Sequence, residues 1–329
     1  MAVHIYSTDT DDGTLTVSRT SDGKSFEQQA KIRVGNAPRG AVKFTQDGRG
    51  YVCNCAGDTI SEINSHNNVE VSRISVGPAP RGLAIVPGDR WALVSVSGGD
   101  YIAVVDLETR ETVHRVSVGR DPRHMAVTPD GNVAFVAIWG SHYVSVLDLM
   151  PLKDGEVQSI SEVSRIEIGD EAHPYSVGLQ PNSDVGWVAN TRAAYVSRFS
   201  VSERRLINAV EVGSIGSRAV AFTSDGDFAL VTVENTSELL AVSTGDLQIT
   251  RRVPVGPGPR GVAVDSADRA YIAVFERGPA SNESSFSFTR NSLTVVNLSE
   301  ITTSEEVRYR EIPVGAGSCS VSVLDLGGS

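Results

Sequence analysis

The sequence predicts an all-β protein, a seven-bladed β-propeller of four-stranded antiparallel blades whose last blade is closed by strands from both termini. Three observations predict it. A short segment of the type Val-Gly-x-x-Pro-Arg-Gly recurs along the chain, the stretch between two copies reads as four strands, and the chain opens in the middle of such a unit.

The segment stands as V-G-N-A-P-R-G at 34–40, V-G-P-A-P-R-G at 76–82, V-G-R-D-P-R-H at 118–124 and V-G-P-G-P-R-G at 255–261. Weaker copies are I-G-D-E-A-H-P-Y at 168–175, V-G-S-I-G-S-R at 212–218 and V-G-A-G-S-C-S at 314–320. Their first glycines are Gly35, Gly77, Gly119, Gly169, Gly213, Gly256 and Gly315, in steps of 42, 42, 50, 44, 43 and 59 residues. The 14 residues after Gly315, joined to the 35 that end at Gly35, make one more unit of 49. Seven units therefore close on themselves. A repeat array is read as one body, so residues 1–329 form a single propeller. Blades 1–6 lie within 35–314 and blade 7 is made of 1–34 plus 315–329.

The second unit shows the strands. Leu83–Val86 is a short apolar run that ends at the turn Pro87-Gly88-Asp89-Arg90, and Trp91–Val96 follows, ended by Ser97-Gly98-Gly99-Asp100. Tyr101–Asp106 is the third run, and Glu111–Val118 alternates polar and apolar residues. Runs of four to eight residues between turn signals, with no 3.6-residue period, are strands. The first two are apolar on both faces, as inner strands between neighbouring sheets must be. The fourth alternates, as a strand wetted on one side does. Four such strands at this spacing describe a propeller blade.

Closure follows from the ends. Val3–Tyr6, Thr14–Ser18 and Gln29–Val34 supply second, third and fourth strands with no first, and Cys319–Leu324 is a first strand with nothing after it. Joining them removes both free sheet edges, which otherwise invite aggregation.

The segment followed by an aliphatic run, Asp-Gly, Tyr51-Val52-Cys53-Asn54 or Trp187-Val188-Ala189-Asn190, and then Val104-Val105-Asp106 or Val146-Leu147-Asp148 is similar to the YVTN family of β-propeller repeats. The likeness covers the whole chain. It implies the propeller fold. The family includes cell-surface and bacterial proteins and resembles propellers with lyase or lactonase activity, among which fold does not choose.

Composition narrows the function. A net charge of −11 argues against nucleic acid as a partner. No apolar run reaches the ~20 residues that span a bilayer, and Met1–Ile5 lacks the basic and apolar regions of a secretory signal. The expectation is a cytoplasmic protein with no membrane association. Three cysteines fit a reducing compartment. Of 29 basic residues only Lys24, Lys31, Lys43 and Lys153 are lysines.

Propeller geometry brings the recurring links and the loops between second and third strands to one mouth of the central channel. At that step into the channel stand Arg39, Arg81, Arg123, Arg218 and Arg260, with His173-Pro174-Tyr175 in blade 4 and Ser318-Cys319 in blade 7. Guanidiniums on one funnel suit a carboxylate or phosphate, because their planar fork bonds it bidentately. The alternative is that each pairs with an acid or carbonyl of a neighbouring blade.

Positions that differ between blades point more directly to a site. His124 replaces a glycine, His173 and Tyr175 break the fourth copy, and Trp139 and His142 mark the loop of blade 3. An imidazole beside arginines has a lowered pKa and suits a general base, and Tyr175 suits an acid. Ordinary hydrogen-bonded histidines are the alternative. No third metal ligand follows from the spacing, so no metal and no cofactor are expected. Gly256-Pro257-Gly258-Pro259-Arg260-Gly261 matches a dinucleotide-binding pattern, but a strand follows it, so it is a repeat link. The insertion at 276–291 is expected to be a lid or a partner-contact loop.

The sequence thus points to a small anionic ligand bound at an Arg-lined mouth. Catalytic candidates are His124, His173 and Tyr175, for lyase, cyclase or lactonase-like acid–base chemistry. Binding candidates are Arg39, Arg81, Arg123, Arg218, Arg260, Trp139, His142 and Cys319. The alternative is a non-enzymatic scaffold that grips a protein partner with the same face and the 276–291 loop.

Overall fold

Runs that are apolar on both sides become strands buried on both sides. Trp91–Val96 is buried at every position, whereas the outer strand Glu111–Ser117 is exposed or half-buried except at Val116. The protein, a computed structural model that describes residues 2–275, 288–289, 291–302 and 307–326, forms seven four-stranded antiparallel sheets. In blades 1 to 6 the strands follow chain order from Pro38–Phe44, innermost in blade 1, to Arg310–Pro313, outermost in blade 6.

Blade 7 is closed as the sequence requires. Ser318–Leu326 is its inner strand and pairs with Ala2–Asp9, which in turn pairs with Thr14–Thr20, followed by Glu27–Arg33. Asp9 locks this seam. Its buried carboxylate accepts hydrogen bonds from Ser7 Oγ (2.7 Å), Thr16 Oγ1 (2.6 Å) and Thr14 Oγ1 (3.2 Å). Thr8 Oγ1 donates to Gly40 O of blade 1 at 2.8 Å.

The recurring link has one backbone job in all seven blades. The residue before each inner strand has a positive φ: Ala37, Ala79, Asp121, His173, Gly216, Gly258 and Gly317. That turn aims its carbonyl at the loop leaving the second strand of the same blade. There the N–H of Cys55, Ser97, Trp139, Thr191, Glu234, Phe275 or Thr10 donates to it at 2.9–3.2 Å. Links and loops are thereby pinned together around one mouth.

The extension of blade 3 between its third and fourth strands is a structural tether. It forms short 3₁₀ turns at Met150–Leu152 and Val157–Ser159, and Leu152 and Ile160 join a core cluster with Trp91 of blade 2. Among the described residues no helix is long and apolar enough to cross a membrane.

Candidate functional site: the mouth of the central channel

A cavity of about 130 Å3 opens on the axis, lined among others by His124, Tyr175, Arg218, Arg260, Cys319 and Lys43. The inner strands that bring these residues there begin at Pro38, Pro80, Pro122, Pro174, Ser217, Pro259 and Ser318. The next residue in each is Arg39, Arg81, Arg123, Tyr175, Arg218, Arg260 or Cys319. Blade 4 therefore offers Tyr175 where five blades carry arginine, and His173 sits two residues earlier, on the rim. Of the segment His173-Pro174-Tyr175 expected at this step, it is Tyr175 that holds the arginine position.

The arginines divide into two sets. Glu234 binds two of them: its Oε2 accepts from Arg218 Nε at 2.5 Å, and its Oε1 accepts from Arg260 Nε and Nη2 at 3.1 and 2.8 Å. Burial raises the Glu234 pKa, but Arg260 and Arg218 outweigh it and hold the carboxyl below its ordinary value. Arg123 pairs with Asp121 at 2.5 Å, and burial followed by repulsion from Arg81 lowers its pKa. Arg39 and Arg81 have no carboxylate partner among the described residues, and the Nε of Arg81 is buried without an acceptor.

Aromatic faces hold the same groups. Tyr175 lies between Arg123 and Arg218, whose guanidinium carbons are 5.6 and 4.9 Å from its ring centre, and His124 is 5.2 Å from it. Arg260 stacks on Phe275 at 3.9 Å and Arg39 approaches the same ring at 5.8 Å. Such contacts place charge without neutralising it.

His124 and its strand pack close to glycines of blades 1 and 2. A Cβ on Gly40 would lie 3.4 Å from His124 Cε1, and one on Gly82 would lie 2.5 Å from Arg123 O. Burial drives the His124 pKa down to about 3, reinforced by Arg123, Lys43, Arg81 and Arg39. It is a neutral imidazole in a field of cations.

His173, His142 and Trp139 form a second group on the rim between blades 3 and 4. The His173 ring is 4.3 Å from that of Trp139 and 4.4 Å from that of His142. Trp139 Nε1 donates to Thr191 Oγ1 at 3.0 Å. Arg123 connects the two groups, with its guanidinium carbon 5.1 Å from the Trp139 ring and 5.6 Å from Tyr175. Burial, then His142 and Arg192, lower the His173 pKa. Among the described residues no cluster of three or more His, Cys, Asp or Glu is arranged to hold a metal ion.

Sequence reasoning missed Glu234, Asp121, Phe275 and Lys43. A signal for two of them was present. Glu234 and Phe275 follow the second strand at the position where Trp139 was noticed, and all three depart from the small residues Cys55, Ser97, Thr191 and Thr10 of the other blades. The 276–291 insertion lies outside the described residues apart from Phe288, Thr289 and Asn291.

The model of the lactonase family of seven-bladed β-propellers matches residues 98–264, just over half of the chain. The chain belongs to that family. No curated protein matches it. Among solved structures it is similar to a candidate 6-phosphogluconolactonase from Bacteroides fragilis, at a TM-score of 0.82 and 10% identity over 98% of both chains. A candidate 6-phosphogluconolactonase from Bacteroides uniformis matches at 0.80 and 15%, over 98% of this chain and 99% of that one. The periplasmic gluconolactonase of Pseudomonas aeruginosa matches at 0.78 and 16%, over 99% and 100%. At these identities the likeness establishes the shared fold.

Proposed function

We propose that this lactonase-family propeller, built on repeats of the YVTN type, hydrolyses a small anionic lactone at the mouth of its channel. One observation carries the reading: a neutral His124 lines the axial cavity with Tyr175, Arg218 and Arg260, and Arg39 and Arg81, without carboxylate partners among the described residues, add to the positive field on it. The family and the lactonase names of similar structures support the same chemistry.

The steps follow from the groups at hand. Water adds to the lactone carbonyl and gives its proton to the His124 imidazole. Arg218 and Arg260, held by Glu234, stabilise the developing oxyanion, where preorganised donors act most strongly. The ring C–O bond then breaks, and the leaving oxygen takes a proton from the imidazolium or from Tyr175. Lactone and water become a hydroxy acid. Burial first, and then the surrounding cations, make His124 a weak base, and a bound anion offsets the second of these and raises the imidazole part of the way toward its ordinary value. His173, His142 and Trp139 contact the substrate at the rim, Arg123 holds them in line with Tyr175, and Cys319 faces the substrate from blade 7. A reducing, cytoplasmic setting belongs to this reading and is supported by three free cysteines.

The test is turnover of 6-phosphogluconolactone and of neutral gluconolactone, each measured above its rate in buffer. Removing a general base costs about 10²–10⁴-fold, so His124→Gln should lower kcat by that order, and Arg81→Ala should raise KM for the phosphorylated lactone. Wild-type rates equal to buffer with both lactones, or an unaffected His124→Gln enzyme, would refute the proposal.

A further inference from the structure

Glu234 shows what this fold places between two arginines of neighbouring blades. It follows the second strand of blade 5, where its N–H donates to Gly216 O at 2.9 Å. Its carboxylate bonds Arg218, two residues after Gly216, and Arg260 at the same step of blade 6. Blades 2 and 3 repeat this arrangement with one change. Ser97 N–H donates to Ala79 O at 3.2 Å, Arg81 stands two residues after Ala79, and Arg123 holds the same step of blade 3. The residue between this pair is thus a serine, and its hydroxyl is committed to the neighbouring backbone, donating to Pro122 O at 2.5 Å. Thr10 makes the same strut from blade 7 to Pro38 O of blade 1, at 2.8 Å.

The two guanidiniums of blades 2 and 3 are close and under-bonded. Their strands touch, since a Cβ on Gly82 would lie 2.5 Å from Arg123 O. The Nε atoms of Arg81 and Arg123 are both buried without an acceptor. Asp121 takes one Nη2 of Arg123, and Arg81 has no carboxylate partner among the described residues. Arg39, the arginine on the other side of Arg81, approaches Phe275 of blade 6 instead. Comparing Arg123 with Arg260 shows what a shared carboxylate does. Their side chains are similarly buried, 12% and 14% exposed. Burial, then repulsion from Arg81, lowers the Arg123 pKa against smaller opposing effects of Tyr175 and Asp121. At Arg260 burial is outweighed by Tyr175 and Glu234, and the pKa rises. A buried charged donor without an acceptor is costly, and a shared anion would serve both arginines at once.

We propose that a small monovalent anion, a halide or a carboxylate, binds between Arg81 and Arg123 beside Ser97, accepts from both Nε groups, and does for blades 2 and 3 what the Glu234 carboxylate does for blades 5 and 6. This ion is separate from the substrate. Among the described residues Arg218 and Arg260 line the axial cavity, and Arg81, Arg123 and Ser97 do not. The inference therefore goes beyond the lactone reading and does not depend on it. One side of the bore carries its counter-ion in the chain, and the other takes it from solution. The ion also bears on His124. After burial, Arg123, Lys43, Arg81 and Arg39 depress that imidazole, and an anion on Arg123 and Arg81 counters two of the four.

Chloride NMR linewidths of the full chain, titrated with sodium chloride, test the site. Wild type should broaden the chloride signal in a saturable way, and bromide should reverse the broadening. Sodium acetate separates the two anion classes: reversal by acetate as well supports a carboxylate-sized site, and reversal by bromide alone supports a halide site. Ser97→Glu supplies the carboxylate from the chain, as blade 5 does, and Arg81→Gln removes one guanidinium. Each should weaken chloride binding roughly tenfold, the loss expected for a charge-assisted hydrogen bond. Ser97→Thr keeps the hydroxyl and should bind as wild type does. Crystals of the wild type soaked in sodium bromide should carry an anomalous peak bonded to both Nε atoms, which keeps the test decisive if Ser97→Glu does not fold. Broadening that does not saturate, chloride binding equal in wild type and Arg81→Gln, or a soaked crystal without that peak overturns the ion. None of these readouts involves turnover, so the lactonase reading stands or falls separately.

Discussion

Replacing Glu234 with Gln tests the electrostatic account of the mouth in a single residue. The carboxylate binds Arg218 through Oε2 and Arg260 through Oε1, and its side chain is 19% exposed. Breaking a fully buried ion pair costs about 3–5 kcal/mol, and an exposed one is worth about 0–1 kcal/mol. Glu234 lies between these limits and Gln keeps one acceptor oxygen, so the loss should be about 2–3 kcal/mol at pH 7. The pH dependence has a definite sign. The carboxyl has a lower pKa in the folded protein than in the unfolded chain, where it is about 4.3. Its contribution is therefore complete above that value and disappears as the pH falls through the folded one. Urea denaturation of both proteins from pH 7 to pH 3 should show the difference shrinking only in the acid part of the range. The released guanidiniums should also bind inorganic phosphate more tightly. A difference below about 0.5 kcal/mol at pH 7, or one that persists in acid, would show that Glu234 does not clamp the two arginines.

Two further substitutions probe the frame around the site. Burial raises the Asp9 pKa against the opposing effect of its hydroxyl donors Thr16, Ser7 and Thr14, so its ionisation costs stability as the pH rises above the unfolded value of about 3.9. Asp9→Asn should therefore gain stability relative to wild type between pH 4 and pH 7 in a denaturation series, and the opposite slope would contradict the assignment. At Gly82 a Cβ would meet Arg123 O at 2.5 Å and His124 Cα at 3.0 Å. Gly82→Ala should cost about 1–3 kcal/mol by overpacking and shift the His124 ring resonances, and unchanged resonances would separate that glycine from the site.

The fold was legible because its signals repeat. Seven copies of one link, a fourth strand that alternates, and an incomplete unit at each end leave few other arrangements, and Trp91–Val96 and Tyr101–Asp106 fall where the turns put them. Inner strands were read too short. Leu83 was expected to begin one, yet pairing starts at Pro80, because backbone pairing continues through Arg81-Gly82 where no apolar run marks it. The site was legible only in part. His124, Tyr175 and Trp139 stand out as departures from the repeat. Glu234 departs from the repeat as well, but its role is not readable there, because it comes from two arginines 16 residues before and 26 residues after it in the chain, brought together by blades 5 and 6. Lys43 reads as an ordinary charge on a strand, and only the fold shows that it lines the axial cavity.

The link turns show why blades 3 and 4 hold the unlike residues. Each turn requires a positive φ, and Gly216, Gly258 and Gly317 adopt it freely in blades 5 to 7. Asp121 and His173 adopt it at φ 54° and 52°, a conformation that costs of order 1–3 kcal/mol for a residue with a side chain. The backbone bond made by the turn is the same in all seven blades, so that bond does not explain the choice of these residues. What distinguishes them is what their side chains touch. Asp121 fixes Arg123, and His173 packs on Trp139 and His142. The propeller separates two tasks in this way: main-chain hydrogen bonds set seven equivalent positions, four of them at non-glycine residues, Ala37, Ala79, Asp121 and His173, and in the last two the side chain also orders the groups around Arg123.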